Sequence, residues 1–205
     1  MITVDDMVHV IQEENTEDLL ALANVSSADG SDTVWESVKA RAPWLGINLI
    51  TAFIASAIIA LFEGTLDRLV QLAILMPVVA ALAGNAGSQG LAVAVRAIAE
   101  REMEGKAGRR AVIRETLTGL VNGVIFAIGV GLVDFFWFGD AKLAIVLAAA
   151  MLASFLWAGA SGILVPLTLK RMGADPAVAS SVFVLTLTDT MAFFSFLGLA
   201  TLFLL

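Results

Sequence analysis

The 205-residue chain has no cysteine and a single histidine, His9. Disulfides and thiolate chemistry are therefore excluded. One imidazole makes no metal cage, and His9 reads as a surface helix residue. Charge is scarce as well: Asp, Glu, Lys and Arg make up 15% of the chain, against 59% apolar side chains. That balance suits a polytopic membrane protein better than a soluble domain. The N-terminus is acidic and lacks a short apolar core, so no secretory signal is expected.

The charge that is present is unevenly spread. The chain carries −7 overall. Residues 1–42 hold nine acids and two bases, Lys39 and Arg41; residues 43–205 hold ten of each sign. The sequence thus divides into an acidic segment, 1–42, and a neutral apolar body, 43–205. An acidic head is the wrong partner for nucleic acid, which requires a basic stripe.

Five long runs with little or no charge fill the body: residues 43–62, 69–95, 116–133 (continuing past Asp134 into four aromatic residues), 143–169 and 176–205. About 20 apolar residues cross a bilayer as a helix, and open strands of that length leave their backbone unsatisfied in lipid. The fold class expected is all-α, with five transmembrane helices. In the head, residues 4–23 read as an amphipathic helix, residues 25–32 as a loop, and residues 32–41 as a helix entering the membrane with Asp32 as its N-cap.

Basic residues set the orientation. Ten of the twelve fall before the first span, between spans two and three, or between spans four and five. Only Arg68 and Lys142 lie on the other side. By the positive-inside rule the N-terminus is cytoplasmic and the protein a multi-pass component of the cell (inner) membrane. Trp44 and Trp137 suit interfacial anchors, and Glu63, Asp67, Asp134 and Asp140 read as acids on the outer side, able to attract cations at a pore mouth but more often simply solvated.

One acid lies deep in a span. Asp189 is about 13 residues, roughly 20 Å, into the fifth run. A carboxylate at that depth needs a partner or a watery cavity, and no base occurs in any of the five runs. An ion or proton site is the functional reading; a protonated side chain bonded to a neighbouring helix is the structural one. Thr186, Thr188 and Thr190 add oxygen atoms around it. Oxygen-only ligands suit Mg2+ or Ca2+, and so few charged ligands favour a cation that keeps much of its water, as Mg2+ does.

The second span contains Pro77 and then Gly84-Asn-Ala-Gly-Ser-Gln89, with Gly84, Gly87 and Gly90 every third residue. Small residues permit close helix packing. A helix loosened by Pro and Gly also exposes carbonyls to a pore. Gly159-Ala-Ser-Gly162 and Pro166 in the fourth span read as packing.

Gly84-Asn-Ala-Gly-Ser-Gln89, followed by an apolar run to Arg96, resembles the second-helix signature of the MgtE family of magnesium channels. Asp175-Pro-Ala followed by Thr186-Leu-Thr-Asp189 resembles that family's fifth helix. The likeness covers residues 40–205, and residues 4–23 are similar to the last helix of the family's regulatory region. The resemblance implies a homodimer with a central pore, in which Asp189 of both chains holds a largely hydrated Mg2+ and helix-two backbone at Gly84, Asn85 and Gly87 completes the site. Asp175, with Asp29, Asp32 and Glu36, is a further candidate for a cytoplasmic Mg2+ site, against a solvated acidic linker. Residues 1–42 would be the tail of the regulatory region and its connecting helix.

Two transport readings follow: a Mg2+ channel or transporter driven by membrane potential, and a proton-coupled secondary transporter of a divalent cation using Asp189. An enzyme is not expected. An intramembrane aspartyl protease needs paired acids at depth, each chain supplies one, and no histidine lies in a span.

Overall fold

The computed structural model describes residues 32–100 and 105–205, together with Met7, Val10, Thr16, Leu20, Ala23, Val25 and Met103. The helix expected over 4–23 and the loop over 25–32 lie, those isolated positions apart, outside the described residues, as do His9 and Asp29. Among the described residues every regular element is helical: α1 Val34–Ala60, α2 Glu63–Arg68, α3 Val70–Ala99, α4 Gly105–Phe138, α5 Ala141–Arg171 and α6 Pro176–Leu204. Five of them are long and apolar enough to cross a membrane, α2 being the exception.

The helix expected before the membrane and the first span are one helix, α1, which continues through Pro43. Its N-cap is Thr33 rather than Asp32. Thr33 Oγ1 accepts the backbone N–H of Glu36, and the Glu36 carboxylate accepts the Thr33 N–H at 2.8 Å. This reciprocal box requires the acid three residues after the cap, and only Thr33 has that spacing to Glu36. The turn between α4 and α5 passes through Gly139 at φ +71°. Asp140 then caps α5 by accepting from the Lys142 and Leu143 amides.

The short helix α2 was not legible as a separate element. It is fixed by tertiary contacts: Phe62 packs edge-on to Phe194 of α6, and Thr65 shares a 2.8 Å hydrogen bond with Thr201 of α6. α5 and α6 form the centre of the bundle. Leu147, Ala150, Met151 and Phe155 of α5 join Ala192, Phe196 and Leu197 of α6 and Leu72 and Val79 of α3 in one apolar core. α4 packs on α5, while α1 packs on α6 and leaves most of its side chains exposed.

Asp134 corrects the reading of an outer, solvated acid. α4 does not stop before it; the helix runs on to Phe138. Asp134 is 1% exposed, and among the described residues neither carboxylate oxygen has a hydrogen-bond partner. Its position continues the α5-facing series Gly119, Gly123 and Ala127, so helical register turns it inward.

Candidate functional site

The glycine motif and the deep acid meet. Gly84 of α3 is buried, and a Cβ placed on it would lie 3.6 Å from Leu185 Cδ2 and 3.9 Å from Asp189 Oδ1. The α3 backbone at Gly84 thus runs beside the carboxylate of α6, with room for no more than a methyl group between them. Asp189 is half-buried, midway along α6, and among the described residues nothing donates a hydrogen bond to it.

The flanking threonines divide. Thr186 and Thr188 donate to backbone carbonyls of their own helix, Val182 and Leu185 respectively. Thr190 Oγ1 is buried with no hydrogen-bond partner among the described residues. The first two hydroxyls have spent their protons locally and can only accept further.

Gly87 has a different neighbourhood. A Cβ there would come within 2.8 Å of Thr188 Cγ2 and 3.0 Å of Val184 Cγ1. Its carbonyl oxygen lies 2.8 Å from the place a Cβ of Gly162 would take, in α5. Gly90 faces Gly162 as well, at 3.6 Å. Three helices therefore converge on this glycine stripe: α3 and α5 meet through backbone atoms, and α6 packs the Thr188 and Val184 side chains onto Gly87. The small residues of the fourth span take the packing role read from the sequence.

Asn85, Ser88 and Gln89 are exposed on the opposite side of α3, turned away from their own chain. They share that face with Ala81 and Ala92, which are also exposed. Asp175 is exposed at the N-cap of α6, where its carboxylate accepts the Ala177 N–H at 2.8 Å. It stands about 20 Å from Asp189 along the helix and is no part of the same cluster. Glu36 is engaged in the α1 cap. Among the described residues no three acids or histidines gather into a metal-sized group.

The fold and site define a class: a polytopic, all-helical membrane protein in which one mid-helix carboxylate faces a glycine-lined helix. The MgtE family profile, described as "Divalent cation transporter", matches residues 76–199. The chain belongs to that family, whose description is that of a transporter and not of an enzyme. Three relatives carry the name "Magnesium transporter MgtE". Those of Bacillus subtilis, Enterococcus faecalis and Thermus thermophilus are each 32% identical to this chain. Each match covers 100% of this chain, and 46%, 45% and 46% of the respective relative. The chain thus spans about half the length of the curated relatives it matches.

Proposed function

We propose that this chain moves Mg2+ across the cell membrane as the pore-forming part, residues 43–205, of a homodimer, with residues 1–42 as a cytoplasmic segment. The observation that carries the proposal is the pairing of Asp189 with Gly84. A half-buried carboxylate without a donor among the described residues stands against a helix backbone that lacks a side chain at the point of approach. A buried charge without a partner costs several kcal/mol. A cation supplies the partner.

One carboxylate per chain is a weak cation site, and two facing chains double it. Two carboxylates brought together repel, so the ion that sits between them stabilises both ionised forms. With backbone oxygen from the segment holding Gly84, Asn85 and Gly87, and Asn85 on the open face of α3, the ligand set is oxygen throughout. Such a set with only two charges suits an ion that sheds little of its water. Relatives named as magnesium transporters support Mg2+ as the transported ion. Asp175, with Asp32 and Glu36, is at most a peripheral cytoplasmic site.

The test is Mg2+ uptake into liposomes reconstituted with the chain. Asp189→Ala should abolish uptake while leaving a folded protein of unchanged helicity. Unchanged uptake by that variant sinks the site assignment. Uptake that follows an imposed voltage and ignores a pH gradient selects the channel or uniporter form over a proton-coupled one.

A further inference from the structure

We infer that α4 carries a binding site for one anionic phospholipid, in a groove between two ridges of its own surface. The ridges follow the i, i+4 rows of the helix. One is polar: Arg110, Arg114, Thr118 and Asn122. The other is apolar: Ile113, Leu117 and Val121. Together they line a groove of about 520 Å3. The apolar ridge is open, with its three side chains 49%, 53% and 58% exposed. One turn above, Lys106 extends the polar row and Arg109 the apolar one, and both are exposed.

Depth matches the two ridges to the two parts of a lipid. α4 has 34 residues, or about 51 Å, which exceeds the ~30 Å hydrocarbon core. Its far end is the aromatic run Phe135-Phe136-Trp137-Phe138, with Trp137 exposed as an interfacial side chain should be. Counting about 30 Å back from Trp137 at 1.5 Å per residue places the other hydrocarbon boundary near Leu117. Arg114 then stands about 4 Å outside it, within the headgroup layer, which is roughly 5–7 Å thick on each side, and Arg110, about 10 Å out, lies just beyond that layer, from where its long side chain reaches back to it. Leu117 and Val121 lie at and just inside the boundary, where acyl chains begin.

The polar groups fit the same molecule. Two guanidiniums a turn apart suit a phosphodiester, by charge and by planar donor geometry. Arg114 has one competing neighbour, Glu115, at 3.4 Å from its Nε. The Thr118 hydroxyl donates to the Arg114 carbonyl and so does not compete for the guanidinium donors. A free phosphate would satisfy the arginines but leave the apolar ridge in use by nothing. The occupant is therefore a lipid with an anionic head.

Native mass spectrometry of the detergent-solubilised full chain tests this, with an equimolar mixture of phosphatidylglycerol and phosphatidylcholine bearing the same acyl chains. The wild type should retain phosphatidylglycerol about tenfold over phosphatidylcholine. Arg110→Gln combined with Arg114→Gln should bring the ratio near one. Lys170→Gln combined with Arg171→Gln, the same charge change on α5, should keep the preference. The proposal fails if the wild type shows no preference, which includes the case of a second copy covering this face. It also fails if the α5 control loses the preference equally, or if millimolar inorganic phosphate releases the lipid.

Discussion

At the scale of the residue, Asp134 and Asp189 both lie in the apolar stretches of membrane-length helices, and their surroundings differ. Asp189 is half-buried and faces the backbone of Gly84. Asp134 is fully buried, with both oxygens unpartnered among the described residues. A buried polar group without a hydrogen bond is destabilising, so Asp134→Leu, which keeps the approximate shape and removes both unpartnered oxygens, should stabilise the fold by about 1 kcal/mol or more. Thermal unfolding in detergent at neutral pH checks this, and a lowered midpoint would mean the carboxylate is held by an interaction worth keeping. Gly84→Ala is the converse experiment. Its new methyl would make ordinary contacts at 3.6 and 3.9 Å, so the protein should fold with little change in stability. If the Asp189–Gly84 approach serves the ion, Mg2+ uptake should nevertheless fall about tenfold or more. Wild-type uptake by Gly84→Ala would remove the α3 backbone from the site.

At the scale of the element, the glycines separate into those that carry a helix contact and those that do not. A Cβ on Gly162 would meet Gly87 O at 2.8 Å and Leu91 N at 3.1 Å. Both are backbone atoms and cannot rotate aside, so α3 and α5 must part. Gly162→Ala should cost about 1–3 kcal/mol. Gly129 has nothing within 4 Å of the corresponding point, and Gly129→Ala should be neutral or gain up to about 1 kcal/mol from helix propensity. Equal unfolding midpoints for the two variants would contradict the packing. The N-terminus of α1 responds to pH instead. Hydrogen bonds to Thr33 hold the exposed Glu36 carboxyl, seven residues before the uncharged run, below the usual carboxylate range. A lowered value means the cap contributes above the ordinary glutamate range, near about 4.3, and is lost as pH falls through the lowered one. The periodicity of the apolar runs made the five long helices legible, and the spacing Thr33-x-x-Glu36 made the cap available to a closer reading. Asp134 was misread because the charge interrupted an apolar run; its register with Gly119, Gly123 and Ala127 was the signal that placed it inside. The helix α2 had no such signal, since its position depends on Phe194 and Thr201, well over a hundred residues away in sequence.

At the scale of the whole molecule, the two halves of the candidate site were each legible as motifs, but their meeting was implied only by the family resemblance and not by the residues themselves. No periodicity says that Gly84 rather than Asn85 faces Asp189; the packing of α3 against α5 and α6 decides it by using Gly87 and Gly90 against α5 and α6. The same packing turns Asn85, Ser88 and Gln89 outward, onto the face a second copy would have to meet. Orientation is the remaining global property, and the chain is well suited to its measurement. With no cysteine, every single-cysteine variant carries one thiol and no background. Glu63, Lys142 and Lys106 are all exposed. Glu63 and Lys142 belong to the connections at one end of the bundle, and Lys106 begins α4 at the other. By the positive-inside rule, the ten-to-two division of basic residues predicts a cytoplasmic Lys106 end. In intact cells a membrane-impermeant maleimide should therefore label Glu63→Cys and Lys142→Cys, and should reach Lys106→Cys only after permeabilisation. Labelling of Lys106→Cys from outside, with the other two protected, would reverse the topology. The acidic N-terminal segment would then lie outside the cell, where it could not be the tail of a cytoplasmic regulatory region.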